Sequence, residues 1–139
     1  MGTNHDTISF QTKGDCDIID ITRQVNDAVQ TSGLEIGICT VFCTGSTGAL
    51  TTIEHEGGLL KDFPDAMERI APQNIEYAHD KKWGDGNGHA HIRASIVGPS
   101  ITIPFVNRKM TLGTWQQIVF VDYDNRPRTR TVEIVIIGE

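Results

Sequence analysis

The chain has 139 residues, 38% of them hydrophobic, and a net charge of −6. That length can bury a core without disulfides or metal as its sole support, and the composition is that of an ordinary globular domain. The acidic balance lacks the broad basic footprint of a nucleic-acid binder, so nucleic acid is not an expected partner.

No apolar run approaches a membrane span, and the opening MGTNHDTISF has no basic segment followed by an apolar one. Asp6 stands where a myristoylation start wants Ser or Thr. The expectation is a soluble, cytoplasmic protein with no membrane association. Cys16, Cys39 and Cys43 form no CxxC pair. The latter two lie in an apolar run, where a free cysteine acts as a small hydrophobe.

Glycines are spread as turn punctuation and there is no repeat or linker, so residues 1–139 read as a single domain. Residues 7–12 alternate as a first strand and 17–20 enclose an apolar pair that reads as a short second one. Thr22 is the expected N-cap of a helix that turns Val25, Ala28 and Val29 inward and stops at Gly33. Residues 34–42, LEIGICTVF, are apolar on both faces and suit a strand buried in the middle of a sheet. After TGSTG, residues 49–54 extend again. Leu59, Leu60, Phe63, Met67 and Ile70 then recur at helical spacing, with Pro64 either kinking that helix or opening a second. Four extended segments are expected at the end, over 92–97, 100–105, 115–123 and 129–137. The class is α+β, a twisted antiparallel sheet or sandwich with helices packed on one side.

Three of the five histidines, His79, His89 and His91, fall in the glycine-rich loop HDKKWGDGNGHAHIR. If His89 and His91 enter a strand, period-two alternation sets both imidazoles on one face, and His79 can complete a facial ligand set. Three imidazoles with an open position describe a catalytic zinc site better than a structural one. Solvated loop histidines are the alternative.

Glu54 sits before the second helical region, where an acid can act as a general base or merely favour the helix dipole. Gly113, Thr114, Trp115 and Gln116, in LGTWQQ, can line a pocket in which the indole stacks on a ring, or form a tight turn around a packed tryptophan. Arg126, Arg128 and Arg130 recur at period two. They form a local anion site, a solvated strand edge or part of a subunit interface.

Taken in order, TGSTGALTTIE, EYAHD, GNGHAHIRAS, GPSITIPF, LGTWQQIVF and DNRPRTRTVEIVIIGE resemble the YjbQ-like family, often labelled secondary thiamine-phosphate synthase. The resemblance implies an α+β fold of seven or more strands, a homotrimer, and a histidine-containing pocket near subunit boundaries. Glu54, His79 and His91 match family positions and are expected to be catalytic, with His79, His89 and His91 expected as metal ligands. The resemblance also implies contacts from Ser46, Thr47, Asn87, Gly113, Thr114, Trp115, Gln116 and Arg128 to a phosphorylated or otherwise anionic small metabolite. Many members carry a histidine in an HTTA or HTSA segment where this chain has Gly45, Ser46, Thr47 and Gly48, so any proton transfer by that histidine does not carry over.

The expected function is therefore a small metal-binding enzyme acting on a phosphorylated small molecule, with thiamine-phosphate synthesis as the named reaction. Zinc is the expected divalent metal if it is held tightly, and magnesium suits phosphate chemistry. The alternatives are a metal-dependent hydrolase with Glu54 as base, or a noncatalytic trimeric ligand-binding protein.

Overall fold

The computed structural model describes all 139 residues. Eight strands and four helices follow one another: β1 Gly2–Thr12, β2 Asp17–Asp20, α1 Thr22–Ser32, β3 Ile36–Cys43, β4 Gly48–Ile53, α2 Gly57–Ile70, α3 Ala78–Trp83, α4 Gly88–Val97, β5 Ser100–Val106, β6 Lys109–Met110, β7 Gln117–Asp122 and β8 Arg128–Gly138. Every pairing is antiparallel, in a five-stranded sheet of order β1-β8-β3-β5-β6 and a three-stranded sheet of order β2-β7-β4. The chain thus forms the α+β antiparallel architecture that its pattern predicts.

Two cores share β7. Ile118 and Phe120 enter the first, together with Val25 and Val29 of α1 and Val41, Phe105 and Ile134 of the large sheet. The alternate residues Val119, Val121 and Tyr123 enter the second, closed by Met67 of α2 and by Ala90 and Ala94 of α4. The small sheet is covered on both faces, which is why 118–121 reads as an unbroken apolar run.

β3 takes the middle of the large sheet as expected, but only one of its faces is buried. Cys39, Val41 and Cys43 point inward, whereas Ile38 and Phe42 are each 44% exposed. Cross-strand register sets Ile38 beside Ile137 and Thr40 beside Val135, so an apolar strip lies open on the outer face.

Helix ends are set by local chemistry. The Thr22 hydroxyl donates to Asp20 Oδ1 (2.6 Å) and accepts from the Ile118 N–H (2.8 Å), tying the start of α1 to β7. Thr22 is thereby the first helical residue rather than the cap, a position Ile21 holds, while Gly33 ends the helix in the left-handed region as expected. α2 runs through Pro64 as one helix, and the Glu56 carboxylate caps it by accepting from the Gly58 and Leu59 N–H groups.

The strand expected over 92–97 is a correction: this segment belongs to α4. Ile92, Ile96 and Val97 give it a β-branched look, yet Ala90 and Ala94, four apart, make a small-residue face that fits the second core. No helix is long and apolar enough to cross a membrane.

The Tyr123 hydroxyl is buried with no hydrogen-bond partner. An unsatisfied buried hydroxyl costs about 1–3 kcal/mol. Tyr123→Phe should therefore match or exceed the wild-type stability in urea unfolding, and a loss of more than about 1 kcal/mol would show that the hydroxyl is bonded.

Candidate functional site

α3 presents His79, α4 presents His91, and the 84–87 turn between them presents Asp85. Gly84 and Gly86, with φ of 67° and 69°, reverse the chain there, in a region that glycine enters without a Cβ penalty. Gly88 lets α4 begin against Tyr77, since a Cβ on it would lie 2.5 Å from the Tyr77 Cβ. The imidazoles of His79 and His91 lie 4.4 Å apart between centroids, and His79 Nε2 is 3.2 Å from the Asp85 carboxylate. One donor atom from each of His79, Asp85 and His91 falls within 4.8 Å of the others. The N–H of Asn87 and then the His79 side chain hold the Asp85 carboxyl below its ordinary pKa. Two imidazoles and a carboxylate suit zinc, iron(II) or a similar divalent ion.

The structure does not bring His89 to this group. On a helix, residues two apart diverge by about 200°, so His91 turns outward while His89 turns into the protein and is buried. Its Nε2 lies 3.4 Å from the Gln73 side chain, and burial followed by the Arg93 charge lowers its pKa. The same-face expectation failed because the segment is helical.

Two cavities flank the trio. One, of about 240 Å³, is lined by His91 with Gly45, Ser46, Gly48, Ala94, Ser95 and Pro99. The other, of about 280 Å³, is lined by Asp85, Asn87, Asn125, Arg126 and Arg128.

A buried polar network supports both. Arg130 donates through Nε and Nη2 to the two oxygens of Asp122 (2.7 and 2.8 Å), and the Thr12 hydroxyl donates to the same carboxylate (2.6 Å). The Thr47 hydroxyl accepts from Arg130 (2.7 Å) and donates to Asp124 (3.0 Å), so it has little left to offer a ligand, while Ser46 remains exposed. Asp124 also accepts from Asn87 (3.3 Å) and from Arg128 Nε (3.0 Å). Burial alone would raise the Asp124 pKa, but the bonds from Arg128, Asn87 and Thr47 outweigh it and the net shift is downward. The arginines do not form one solvated edge: Arg130 is buried, Arg128 half-buried and Arg126 exposed. At position 45 the backbone has φ 153°, and a Cβ would meet Arg130 Nη1 at 3.0 Å, so a histidine there needs a local rearrangement.

Glu54 and the LGTWQQ turn form a separate place. A cavity of about 330 Å³ is lined by Thr52, Ile53, Glu54, Gly113, Thr114, Trp115 and Gln116. Trp115 is 70% exposed there, and Gln116 is held by the Gly113 N–H and by Thr52 Oγ1, each at 3.0 Å. Glu54 follows one end of β4 and the 44–47 turn precedes the other. At about 3.3 Å per residue that places Glu54 on the order of 20 Å from the histidine site within one chain.

A family model described as "UPF0047 protein YjbQ-like" matches residues 6–139. The chain belongs to the YjbQ-like family. A UPF0047 protein of Methanothermobacter thermautotrophicus is 36% identical over 132 residues, 95% of this chain and 90% of that one. YugU, a UPF0047 protein of Bacillus subtilis, is 33% identical over 95% of this chain and 98% of its own. The crystal structure of a YbjQ-like protein of unknown function from Sulfolobus solfataricus superposes with a TM-score of 0.94 at 33% identity, covering 99% of each chain. A YjbQ/UPF0047 structure from Clostridium acetobutylicum gives 0.87 at 37% identity, over 95% of this chain and 99% of that one.

In this YjbQ-like chain, three residues of the site carry little mark in the sequence: Asp85, Asp122 and Asp124. The placing of Asp85 between two glycines, six residues from each histidine, was the available signal for the first. The others look like turn residues until the arginines are seen to fold back onto them.

Arg130→Met should lose about 3–5 kcal/mol in urea unfolding, because it strands the buried Asp122 carboxylate. Asp124, with its folded pKa below the ordinary 3.8, contributes stability that is full above pH 3.8 and lost as the pH falls through the lower folded value. The penalty of Asp124→Asn should accordingly be smaller at about pH 3 than at about pH 6; a pH-independent penalty would contradict the ionised pairing.

Proposed function

We propose that this protein is a metal-binding enzyme acting on a phosphorylated small molecule, with thiamine-phosphate synthesis as the named reaction to assay. The observation that carries the reading is the approach of His79, Asp85 and His91 within 4.8 Å, open to two cavities. Two imidazoles favour zinc or another transition metal over magnesium, which prefers oxygen ligands throughout. A divalent ion there supplies a Lewis acid that neutralises charge on a phosphoryl group. Asp85 and the two histidines fix its position, Asn87 holds the Asp85 turn from below, and Ser46 and Arg128 face the bound substrate.

In this reading Glu54 and Trp115 serve a second place, where the indole packs against a ring and the carboxylate orients a polar group. Their distance from the trio argues against Glu54 as the base of a one-chain hydrolase. A noncatalytic ligand-binding role is the second reading. It draws support from Gly45, which replaces a family histidine with a residue that transfers no protons.

Elemental analysis of protein purified without added metal should find near-stoichiometric transition metal in the wild type and in His89→Gln. Metal should be lost in Asp85→Ala and in the double variant His79→Ala/His91→Ala. A metal-free wild type, or retention that depends on His89, would sink the assignment.

A homotrimer is part of the same proposal. Ile38, Phe42, Val135 and Ile137 form an exposed apolar strip of the kind that subunit contacts cover. Sedimentation should report three subunits for the wild type and smaller species for Phe42→Lys; a monomeric wild type would refute it.

A further inference from the structure

Of Arg126, Arg128 and Arg130, only Arg126, in the turn before β8, has a side chain with no hydrogen bond or ion pair. Arg130 is taken by Asp122, and Arg128 directs Nε and Nη2 at a single Asp124 oxygen (3.0 and 2.9 Å), leaving its Nη1 donors free. The backbone that carries Arg126 is fixed. Its N–H donates to Asp124 Oδ1 (3.2 Å), the Asn125 N–H donates to Asn87 Oδ1 (2.9 Å), and Asn125 Nδ2 donates to the Asp85 carbonyl (2.7 Å). Arg126, unpaired and on a tethered loop, thus lines a cavity of about 280 Å³ whose five lining residues include no apolar side chain.

Such a lining favours a small, strongly charged group over a ring, and the planar fork of arginine matches the oxygens of a phosphoryl group. Asp85 belongs both to this cavity and to the proposed metal trio. The two guanidinium groups are balanced by Asp85 and Asp124, so a divalent ion on the trio leaves the cavity with a surplus of positive charge. We infer that the cavity receives the phosphoryl end of a phosphomonoester, gripped by Arg126 and by Nη1 of Arg128. The organic part of the ester then extends past His91 toward the Gly45–Gly48 turn.

This assignment rests on the metal reading for its full strength, since metal and oxyanion raise each other's affinity by the same factor. Arg126 is the residue that sets specificity for the phosphoryl group, and the 45–48 turn takes a secondary part.

The test is calorimetric titration of phenylphosphonate, whose P–C bond does not hydrolyse, into wild type and Arg126→Gln, each with and without one equivalent of zinc. Arg126→Gln should weaken binding about tenfold or more in both states, as expected for loss of a charge-assisted contact, while its melting temperature and zinc affinity stay at wild-type values. Equal affinities for Arg126→Gln and wild type, or no phenylphosphonate binding by the wild type, would overturn the assignment. Benzoate binding as tightly as phenylphosphonate would overturn the phosphoryl preference. If only the metal reading fails, zinc will leave the affinity of both proteins unchanged while the Arg126 difference persists.

Discussion

The bidentate pair between Arg130 and Asp122 ties the two sheets together at the end of the molecule where the histidines lie. Asp122 closes β7 of the small sheet and Arg130 belongs to β8 of the large one. The Thr12 hydroxyl brings in β1 and the Thr47 hydroxyl brings in the turn before β4. A charge pair at this depth forfeits most of its hydration, so its net stabilisation is small even though its rupture is expensive. Its value is positional: once Asp122 and Arg130 are locked, the chain between them must turn tightly, and Asp124, Asn125 and Arg126 are delivered to the rim beside α4.

Asp124 passes that constraint on. Its carboxylate gathers Thr47, Asn87 and Arg128, which come from three separate stretches of chain, and Asn87 in turn fixes the turn that carries Asp85. The histidine pair is thus seated on a polar floor, with apolar packing further away. Such a floor resists small displacements because each lost hydrogen bond leaves a buried group unpaired.

Much of this was legible in the sequence wherever a local signal and the tertiary environment agree. Residues 17–20 have the pattern of a strand and form one, Gly33 ends its helix as a left-handed glycine should, and the run at 118–121 is apolar because both its faces are covered. Legibility failed where packing overruled propensity. The β-branched residues at 92, 96 and 97 pointed to a strand, but the alanines at 90 and 94 offered the second core a helix face, and the helix then sent His89 and His91 in opposite directions. The hairpin at 107–108, with both residues in the left-handed region, and the short helix that carries His79 also escaped a reading based on periodicity, which needs longer segments. His79 and His91 were visible as candidates. Asp85 was not, because a lone aspartate between glycines is ordinary turn chemistry until two helices converge on it.

The double burial of β7 has a consequence for how this architecture can diversify. A strand with solvent on one side can change half of its residues freely, whereas here neither face of 118–121 has that latitude. Change is channelled into the exposed stretches that flank β4 and β7: residues 44–46, 111–116 and 125–127. A lineage acquiring a new substrate on this scaffold would rewrite those rims while its interior stayed nearly fixed, much as a lock is rekeyed without recasting the case.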